Sequence, residues 1–341
     1  MSHMIENTDG RANIAYAGDT PWHQLGQKLD AAFDADTALK EANLDWEVEV
    51  APLYHKDPDA VGTVSEDAFA KSTKSQIVRR ADTGVELGAV GMKYSALQNR
   101  DAFGFFDGLF GKDACRYETA GFTGNGERIW LLANMADQDP IEILPDDVIQ
   151  KYLLLTNSHD GSYAAMASFT PIRVVCNNTL TAAVGKMMAG NSKVSVKHVG
   201  EVADRLKFAG KILAQAGVFY DEVRDLFQAF AKKQLNGTQT RQYIHRTLFD
   251  DDKESKSRAG KVEEIEGLMQ TGRGADIKGV RGTVWGTYNA LTEYVDHHKV
   301  YRGGEIKRLE ASQFGTGRNL KAKALTIGAE LVSYGKEIEL N

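Results

Sequence analysis

The stretch YLLLTNSHDGSYAAMASFTPIRVVCNNTLTA, residues 152–182, decides the fold class of this chain. Residues 152–156 are apolar and β-prone, and residues 163–169 form a second β-prone run. Between the two runs, His159-Asp160-Gly161 has the composition of a tight turn, and we expect His159 and Asp160 to shape its tip. The stretch therefore predicts a β-hairpin, which is a unit of antiparallel sheet.

A third extended piece at residues 172–175 follows the hairpin and leads into a predicted helix that begins at residue 179. Asn177 or Asn178 can cap this helix, because an asparagine side chain accepts a hydrogen bond from the first free N–H groups. Arg173 stands alone among the apolar residues of the extended piece. An arginine there must reach solvent, pair with an acid or face a ligand.

Other β-prone pairs and single helices surround this stretch. Residues 76–90 and 116–134 have the form of hairpins, and residues 35–42 and 99–110 the form of short helices. Strands that pair with sequence neighbours and alternate with single helices indicate antiparallel sheet and not an alternating parallel βαβ arrangement. We predict an N-terminal lobe of antiparallel sheet with β-hairpins and packed helices.

After residue 197 the apolar residues recur at helical spacing. Residues 199–230 form the longest such run, which is expected to be broken or bent near Gly217, and further helices are predicted at 238–249, 287–296 and 320–334. The fold class is therefore α+β with a mainly α-helical C-terminal lobe. The expected divisions are a cloning scar and flexible N-terminus at 1–9, a hairpin-rich α+β domain at 10–197 and a mostly helical domain at 198–341.

Charge is distributed unevenly along the chain. Residues 1–150 contain 13 Lys and Arg against 26 Asp and Glu, whereas residues 151–341 contain 28 against 21. An acidic first half and a basic second half point to one surface that repels polyanions and another that attracts them. Two differently solvated surfaces would explain the same asymmetry.

Composition restricts the cellular setting. No apolar stretch approaches the length of a membrane-spanning helix, so no membrane partner is expected and a cytoplasmic location is predicted. The two cysteines, Cys115 and Cys176, lie far apart and have no Cys-x-x-Cys spacing, which argues against a disulfide framework or a structural zinc site. Each is expected to be a reduced, buried thiol.

Enzymatic readings are possible but lack a recognisable motif. Cys176 and His159 are the residue types of a nucleophile and its base, yet nothing in the sequence fixes their distance. The phosphate-binding Gly-x-x-x-x-Gly-Lys-Ser/Thr loop is absent from the sequence, and the carboxylates show no metal-binding spacing. We predict no catalytic residue and no cofactor.

A metal site is a further alternative. Asp296-His297-His298, with Glu293 one helical turn earlier, contains the right ligand types. Adjacent side chains on a helix point about 100° apart, however, so the two histidines would not converge on one ion. Structural histidines at a helix end are the preferred interpretation, and no metal is predicted.

Polyanion binding is better supported by the sequence. Basic residues follow Arg173 closely in the sequence, and the glycine-rich segment 270–286 contains three more beside Trp285 and Tyr288. A combination of cations and aromatic rings is typical of surfaces that bind the backbone of a single strand and stack its bases. The candidate nucleic-acid-binding residues are Arg173, Lys186, Lys193, Lys197, Arg205, Lys207, Arg273, Lys278 and Arg281. An exposed, solvated face would account for the lysines equally well.

Three segments carry a family resemblance. Residues 10–25, 156–180 and 285–297 resemble a widespread family of uncharacterised phage- and plasmid-encoded proteins, and the run Thr-Pro-x-Arg-Val-Val-Cys-x-Asn-Thr-Leu is the most specific part. The resemblance extends from about residue 10 to residue 331. Hairpins that lead into a helix are also similar in outline to the ββα cores of single-strand annealing proteins, an analogy at the level of fold.

This resemblance implies a role in DNA metabolism on a mobile element. Our first hypothesis is a homo-oligomeric protein that binds or anneals single-stranded DNA in recombination or replication and needs no ATP. The rival hypothesis is a module that binds or counteracts a host protein through its acidic first lobe and does not bind nucleic acid.

Overall fold

The structure is a computed structural model that describes the greater part of the chain. The described residues are 7–8, 11–17, 27–29, 34–56, 68–103, 116–135, 139–173, 178–179, 193–196, 202–251, 253, 255–301, 311 and 315–333.

Fourteen strands occur in the described residues. They are β1 (Asn7–Thr8), β2 (Arg11–Ala12), β3 (Ile14–Ala17), β4 (Gln27–Leu29), β5 (Val48–Lys56), β6 (Phe69–Arg80), β7 (Glu86–Gly91), β8 (Arg116–Thr123), β9 (Arg128–Asn134), β10 (Ile141–Leu144), β11 (Asp147–Ser158), β12 (Ala165–Arg173), β13 (Asn178–Thr179) and β14 (Lys193–Val196).

The helices lie mostly after the strands. The helices whose full extent is described are α1 (Ala35–Glu41), α2 (Val202–Lys232), α3 (Gly237–Leu248), α4 (Lys256–Thr271), α5 (Val284–Glu293), which continues into a π-helical turn at Tyr294–His298, and α6 (Thr316–Leu331). The predicted α+β class, with antiparallel sheet in the N-terminal part and helices in the C-terminal part, is confirmed. None of the described helices is both long and apolar enough to cross a membrane.

The chain divides into two compact units whose segments alternate along the sequence. Unit 1 consists of Met1–Asn134, Leu154–Ala167 and Val194–Ile212, and unit 2 of Met135–Leu153, Ser168–Lys193 and Leu213–Asn341.

Unit 1 contains a sheet in which β3, β8 and β9 are central. The β8–β9 hairpin runs from Arg116 opposite Asn134 to Thr123 opposite Arg128, as the sequence predicted. Gly126 in its turn has φ +117°, and a Cβ there would lie 2.6 Å from the Trp46 ring. Glycine is required at this position because the backbone conformation and the adjacent indole both exclude a side chain.

A second sheet of unit 1 has the strand order β5-β6-β7. Pairing between β5 and β6 shifts register between Pro52 and Tyr54, where β6 accommodates extra residues. The Ser72 hydroxyl accepts hydrogen bonds from the Lys74 and Ser75 N–H groups within this irregular segment. Beyond it the two strands resume pairing as a ribbon that ends at Lys56 opposite Phe69.

Unit 2 is organised around the C-terminal half of α2. Phe227 and Phe230 of this helix are fully buried and contact Tyr288 of α5, with ring centroids 5.7 and 5.8 Å away, respectively. Tyr220 donates a hydrogen bond of 2.6 Å to the Tyr152 carbonyl of β11. The helix is not broken at Gly217, because α2 is continuous through this residue. Glycine lowers helix propensity, but aromatic packing on the following turns stabilises the helical conformation.

Candidate nucleic-acid interface

The His159-Asp160-Gly161 motif forms the tip between β11 and β12. Asp160 Oδ1 accepts a hydrogen bond of 2.8 Å from the Ser162 N–H, and Gly161 has φ +74°. Gly88 of β7 is adjacent, since a Cβ there would lie 2.7 Å from the Asp160 Cα. The motif therefore closes the connection between two strands and packs against a neighbouring strand.

His159 itself is fully buried in unit 1. Its Nε2 lies 2.9 Å from Asn99 Oδ1, and its ring meets the Trp46 ring at an angle of 62° with centroids 5.5 Å apart. Asn99 Nδ2 donates to the Leu44 and Trp46 carbonyls. Because Asn99 Oδ1 can only accept, His159 Nε2 is the donor of their bond. Asn99 therefore joins the motif to the segment that precedes β5.

The region around Arg173 is described through its backbone. Arg173 ends β12 and is opposite Asn178 of β13. Asn178 thus occupies a strand at the point where a helix cap was expected. Lys193 begins β14, and Arg205 and Lys207 lie in the first turns of α2. For these five residues the structure describes no side chain, and Cys176, Asn177, Lys186 and Lys197 lie outside the described residues.

The loop between α4 and α5 contains the other three predicted cations. Arg273 and Lys278 have side chains that are at least partly open to solvent. Arg281 donates from Nε to the Ala275 carbonyl at 3.0 Å and from Nη2 to the Gln270 carbonyl at 2.9 Å. Its guanidinium therefore holds the loop to the end of α4.

The aromatic residues next to this loop are not available for stacking. Trp285 and Tyr288 are completely buried, and Trp285 Nε1 donates a hydrogen bond of 2.8 Å to the buried Asp147 carboxylate. Burial, followed by the charge of Asp296, raises the pKa of Tyr288. The expectation that these two rings stack bases is wrong, because they fill the core of unit 2.

A basic groove, which the sequence did not reveal, lies between α3 and α4. Its cavity has a volume of about 820 Å³, and the described residues that line it include the cations Arg241, Arg246, Lys256 and Arg258, together with His245 and the carboxylate of Glu263. A second cavity of about 410 Å³, which extends toward α6, shares His245 and Arg246. We call the first cavity the α3–α4 groove. Arg273, Lys278 and Arg281, the three predicted nucleic-acid-binding residues whose side chains the structure describes, do not line it.

Three of the groove cations form ion pairs near the surface. Arg241 Nε lies 2.9 Å from Glu266 Oε1, Arg246 Nη2 lies 2.7 Å from Glu330 Oε2, and Arg258 binds Asp251. The bond from Arg258 holds the pKa of Asp251 below its ordinary value. Exposed ion pairs contribute little net stability, so an incoming phosphate can replace such a carboxylate without a large loss of folding free energy.

The start of α4 increases the positive potential of the groove. Ser255 caps this helix by accepting from the Arg258 N–H, and the first turn contains no acidic residue. Lys256 has no ion-pair partner among the residues that the structure describes. Since a helix N-terminus is itself electropositive, this concentration of cations favours anionic ligands.

The sequence signal for the groove is weak but identifiable. Arg241, His245 and Arg246 lie within six residues of each other in α3, and Lys256 and Arg258 follow the capping residue Ser255 at the start of α4. Segment 250–254 between these helices contains four acids, so the average charge of the region conceals the basic cluster.

The predicted helix-end histidines are not part of a metal site among the described residues. Asp296 pairs with Lys321 at 2.7 Å, and Glu293 Oε1 accepts the Arg273 N–H. Across the part of the chain that the structure describes, no group of three or more His, Cys, Asp or Glu side chains is arranged to hold a metal ion.

Comparison with known proteins identifies the family. Searches of curated proteins and of solved structures gave no match. Residues 86–313, more than half of the chain, match a family that is described as "Domain of unknown function (DUF932)". The matched segment extends from β7 through the π-helical turn and includes both the hairpin motif and the α3–α4 groove. The chain therefore belongs to the DUF932 family.

Proposed function

We propose that the protein binds single-stranded DNA through the α3–α4 groove and acts as an ATP-independent annealing protein in recombination or replication. The observation that carries this proposal is the convergence of Arg241, Arg246, Lys256 and Arg258 on one groove. In this proposal the protein is encoded by a phage or plasmid, works in the cytoplasm and forms a homo-oligomer. The sequence resemblance to mobile-element proteins supports this setting.

The chemistry of the groove suits a phosphodiester backbone. Three guanidinium groups offer paired N–H donors that match phosphate oxygens, and Lys256 adds a compact positive charge. The exposed ends of Arg241 and Arg246 leave these donors accessible to a ligand in solvent. Phosphate contacts of this kind are independent of base sequence, which is the property that a general annealing protein needs.

The size of the groove also fits this ligand. A volume of about 820 Å³ is within the range of sites that bind a nucleotide-sized group. One subunit would therefore hold a short run of nucleotides, and several subunits would be needed to hold a long strand. Homo-oligomerisation follows from the proposal for this reason.

Fluorescence anisotropy of labelled oligo-dT, beside a duplex of equal length, tests the proposal. Wild-type protein should bind the single strand at low salt, and Arg246→Gln with Lys256→Gln should weaken that binding. Arg224→Gln is the matched control, because Arg224 is exposed and paired with Asp221 and Asp225 but does not line the groove. Absence of binding at low salt would refute the proposal.

The rival function is a protein-interaction module, and one observation favours it. The first 150 residues have twice as many acidic as basic residues, which suits a basic host protein better than DNA. This function predicts that no oligonucleotide binds and that a host protein is retained in a pull-down. Charge reversal in the acidic half, and not in the groove, would then abolish the interaction.

A further inference from the structure

The end of the β5–β6 ribbon places two aromatic and two basic residues on one face. Tyr54 is opposite Lys71, and Lys56 is opposite Phe69. Directly opposed residues share a face of a sheet, as do residues two apart on one strand. Tyr54, Lys56, Phe69 and Lys71 therefore form a two-by-two cluster, with the rings on one diagonal and the amines on the other. We call this cluster the ribbon face.

Both rings of the ribbon face are open to solvent. Tyr54 is 56% exposed and Phe69 is 55% exposed, and the two lysines are also exposed. Aromatic side chains are usually buried, because each removes a large apolar area from water. Two exposed aromatic rings on one diagonal at the end of a ribbon mark a binding surface more strongly than single exposed apolar residues do.

The charges around the ribbon face are mixed. Lys56, Lys71 and Lys74 contribute three positive charges. In the sequence, the segment 57–67 that joins β5 to β6 contains four acidic residues, Asp57, Asp59, Glu66 and Asp67. Long-range attraction for a polyanion should therefore be small here, and any nucleic-acid contact must depend on the rings.

We infer that the ribbon face stacks unpaired bases of single-stranded DNA, an inference that rests on the function proposed above. Diagonal neighbours across two antiparallel strands are about 7–8 Å apart, so the rings of Tyr54 and Phe69 can each stack on a separate base. Lys56 and Lys71 alternate with the rings and contact the phosphates between these bases. Stacking on an aromatic ring does not depend on base identity.

The ligand must be single-stranded because of the contact that the rings offer. A base presents its flat face to an aromatic side chain only when it is unstacked from its neighbours, which is readily achieved in a single strand. The ribbon face and the α3–α4 groove then have different roles. The groove supplies ionic, salt-sensitive contacts, and the ribbon face supplies stacking that depends little on salt.

Anisotropy titrations of full-length variants with labelled oligo-dT test this division. Tyr54→Ala and Phe69→Ala should each weaken binding about tenfold, without a change in salt dependence. Tyr54→Phe and Phe69→Tyr should retain wild-type affinity, because both substitutions preserve a ring. Met92→Ala is the control, since Met92 is an exposed apolar residue of the same unit that is outside the ribbon.

The possible outcomes distinguish failure of the ribbon inference from failure of the proposed function. Wild-type affinity in Tyr54→Ala and Phe69→Ala, with weakened binding in Arg246→Gln, would overturn the ribbon inference and leave the proposed function standing. Equal loss for single-stranded and duplex DNA would also overturn it, as would a change of oligomer mass in light scattering with unchanged DNA affinity. Failure of wild-type protein to bind any oligonucleotide would refute the proposed function, and the ribbon inference with it.

Discussion

Lys321 of α6 donates a hydrogen bond of 2.7 Å to Asp296 in the π-helical turn that follows α5, and both side chains are nearly inaccessible to solvent, at 1% and 7% exposure. An ion pair at this depth requires each charge to compensate for the desolvation of the other. The pair therefore fixes α6 against the π-helical turn. It identifies a part of the helical unit in which a single charge change has a large effect.

Substitution of Lys321 by methionine should lower the free energy of unfolding by about 3–5 kcal/mol, because it leaves the Asp296 carboxylate buried without its counter-charge. Urea denaturation followed by circular dichroism measures the change. Lys323→Met is the matched control, because Lys323 pairs with the almost fully exposed Asp250. A Lys321→Met protein as stable as Lys323→Met would show that the buried pair does not have this role.

Gly328 in α6 should not tolerate alanine. A Cβ at this position would lie 2.5 Å from Phe230 Cζ and 2.8 Å from the Tyr243 hydroxyl. Overpacking of this kind costs about 1–3 kcal/mol, which outweighs the gain in helix propensity of about 1 kcal/mol.

The control for Gly328 is Gly267 of α4, where the Cβ of an alanine would have no atom within 4 Å apart from the nearby backbone of its own helix. Gly267→Ala should therefore raise stability by about 0.5–1 kcal/mol through propensity alone. Thermal denaturation of both variants tests the packing of α6 against α2 and α3. Stabilisation by Gly328→Ala would contradict that packing.

Asn99 should be essential for the packing of the hairpin motif. Asn99→Ala removes the amide that donates to two backbone carbonyls and the oxygen that accepts from His159 Nε2. The substitution should lower the free energy of unfolding by about 2–4 kcal/mol. Asn319→Ala, on the exposed side of α6, should change stability by less than about 0.5 kcal/mol. Equal effects of the two substitutions would exclude a special role for Asn99.

Tyr94 should make stability sensitive to alkaline pH. Burial, followed by the charge of Asp160, raises its pKa to about 12 from an ordinary value of 10.0. Because the folded-state pKa is the higher one, the stabilising contribution is complete below pH 10 and is lost as the pH rises through 12. Urea denaturation at a series of pH values should show wild type losing stability relative to Tyr94→Phe in this window. Parallel curves for the two proteins would exclude the effect.

Local signals in the sequence predicted much of the fold. The hairpins around Gly84, Gly124 and Gly161 were correctly placed, since each has φ between +61° and +74° and lies between β-prone runs. The alternation of unit 1 and unit 2 segments along the chain has no comparable signal, because it depends on contacts between residues that are distant in sequence.

The candidate site was harder to predict for a related reason. Trp285 and Tyr288 follow a glycine-rich loop and resemble exposed binding residues, but tertiary packing against Phe227 buries them. Conversely, Tyr54 and Phe69 are separated by an acidic segment, and only the register of β5 and β6 reveals that they share a face. Arg241 and Lys256 meet in one groove because α3 and α4 pack together.

The salt dependence of binding to single-stranded oligo-dT tests the central claim most directly. Each phosphate contact changes the slope of log K against log salt by about 0.7 for a single strand, so Arg246→Gln with Lys256→Gln should reduce the slope by about 1.4. The control Arg224→Gln should keep the wild-type slope. An unchanged slope in the double variant, or absence of wild-type binding at low salt, would contradict the assignment of the α3–α4 groove to DNA.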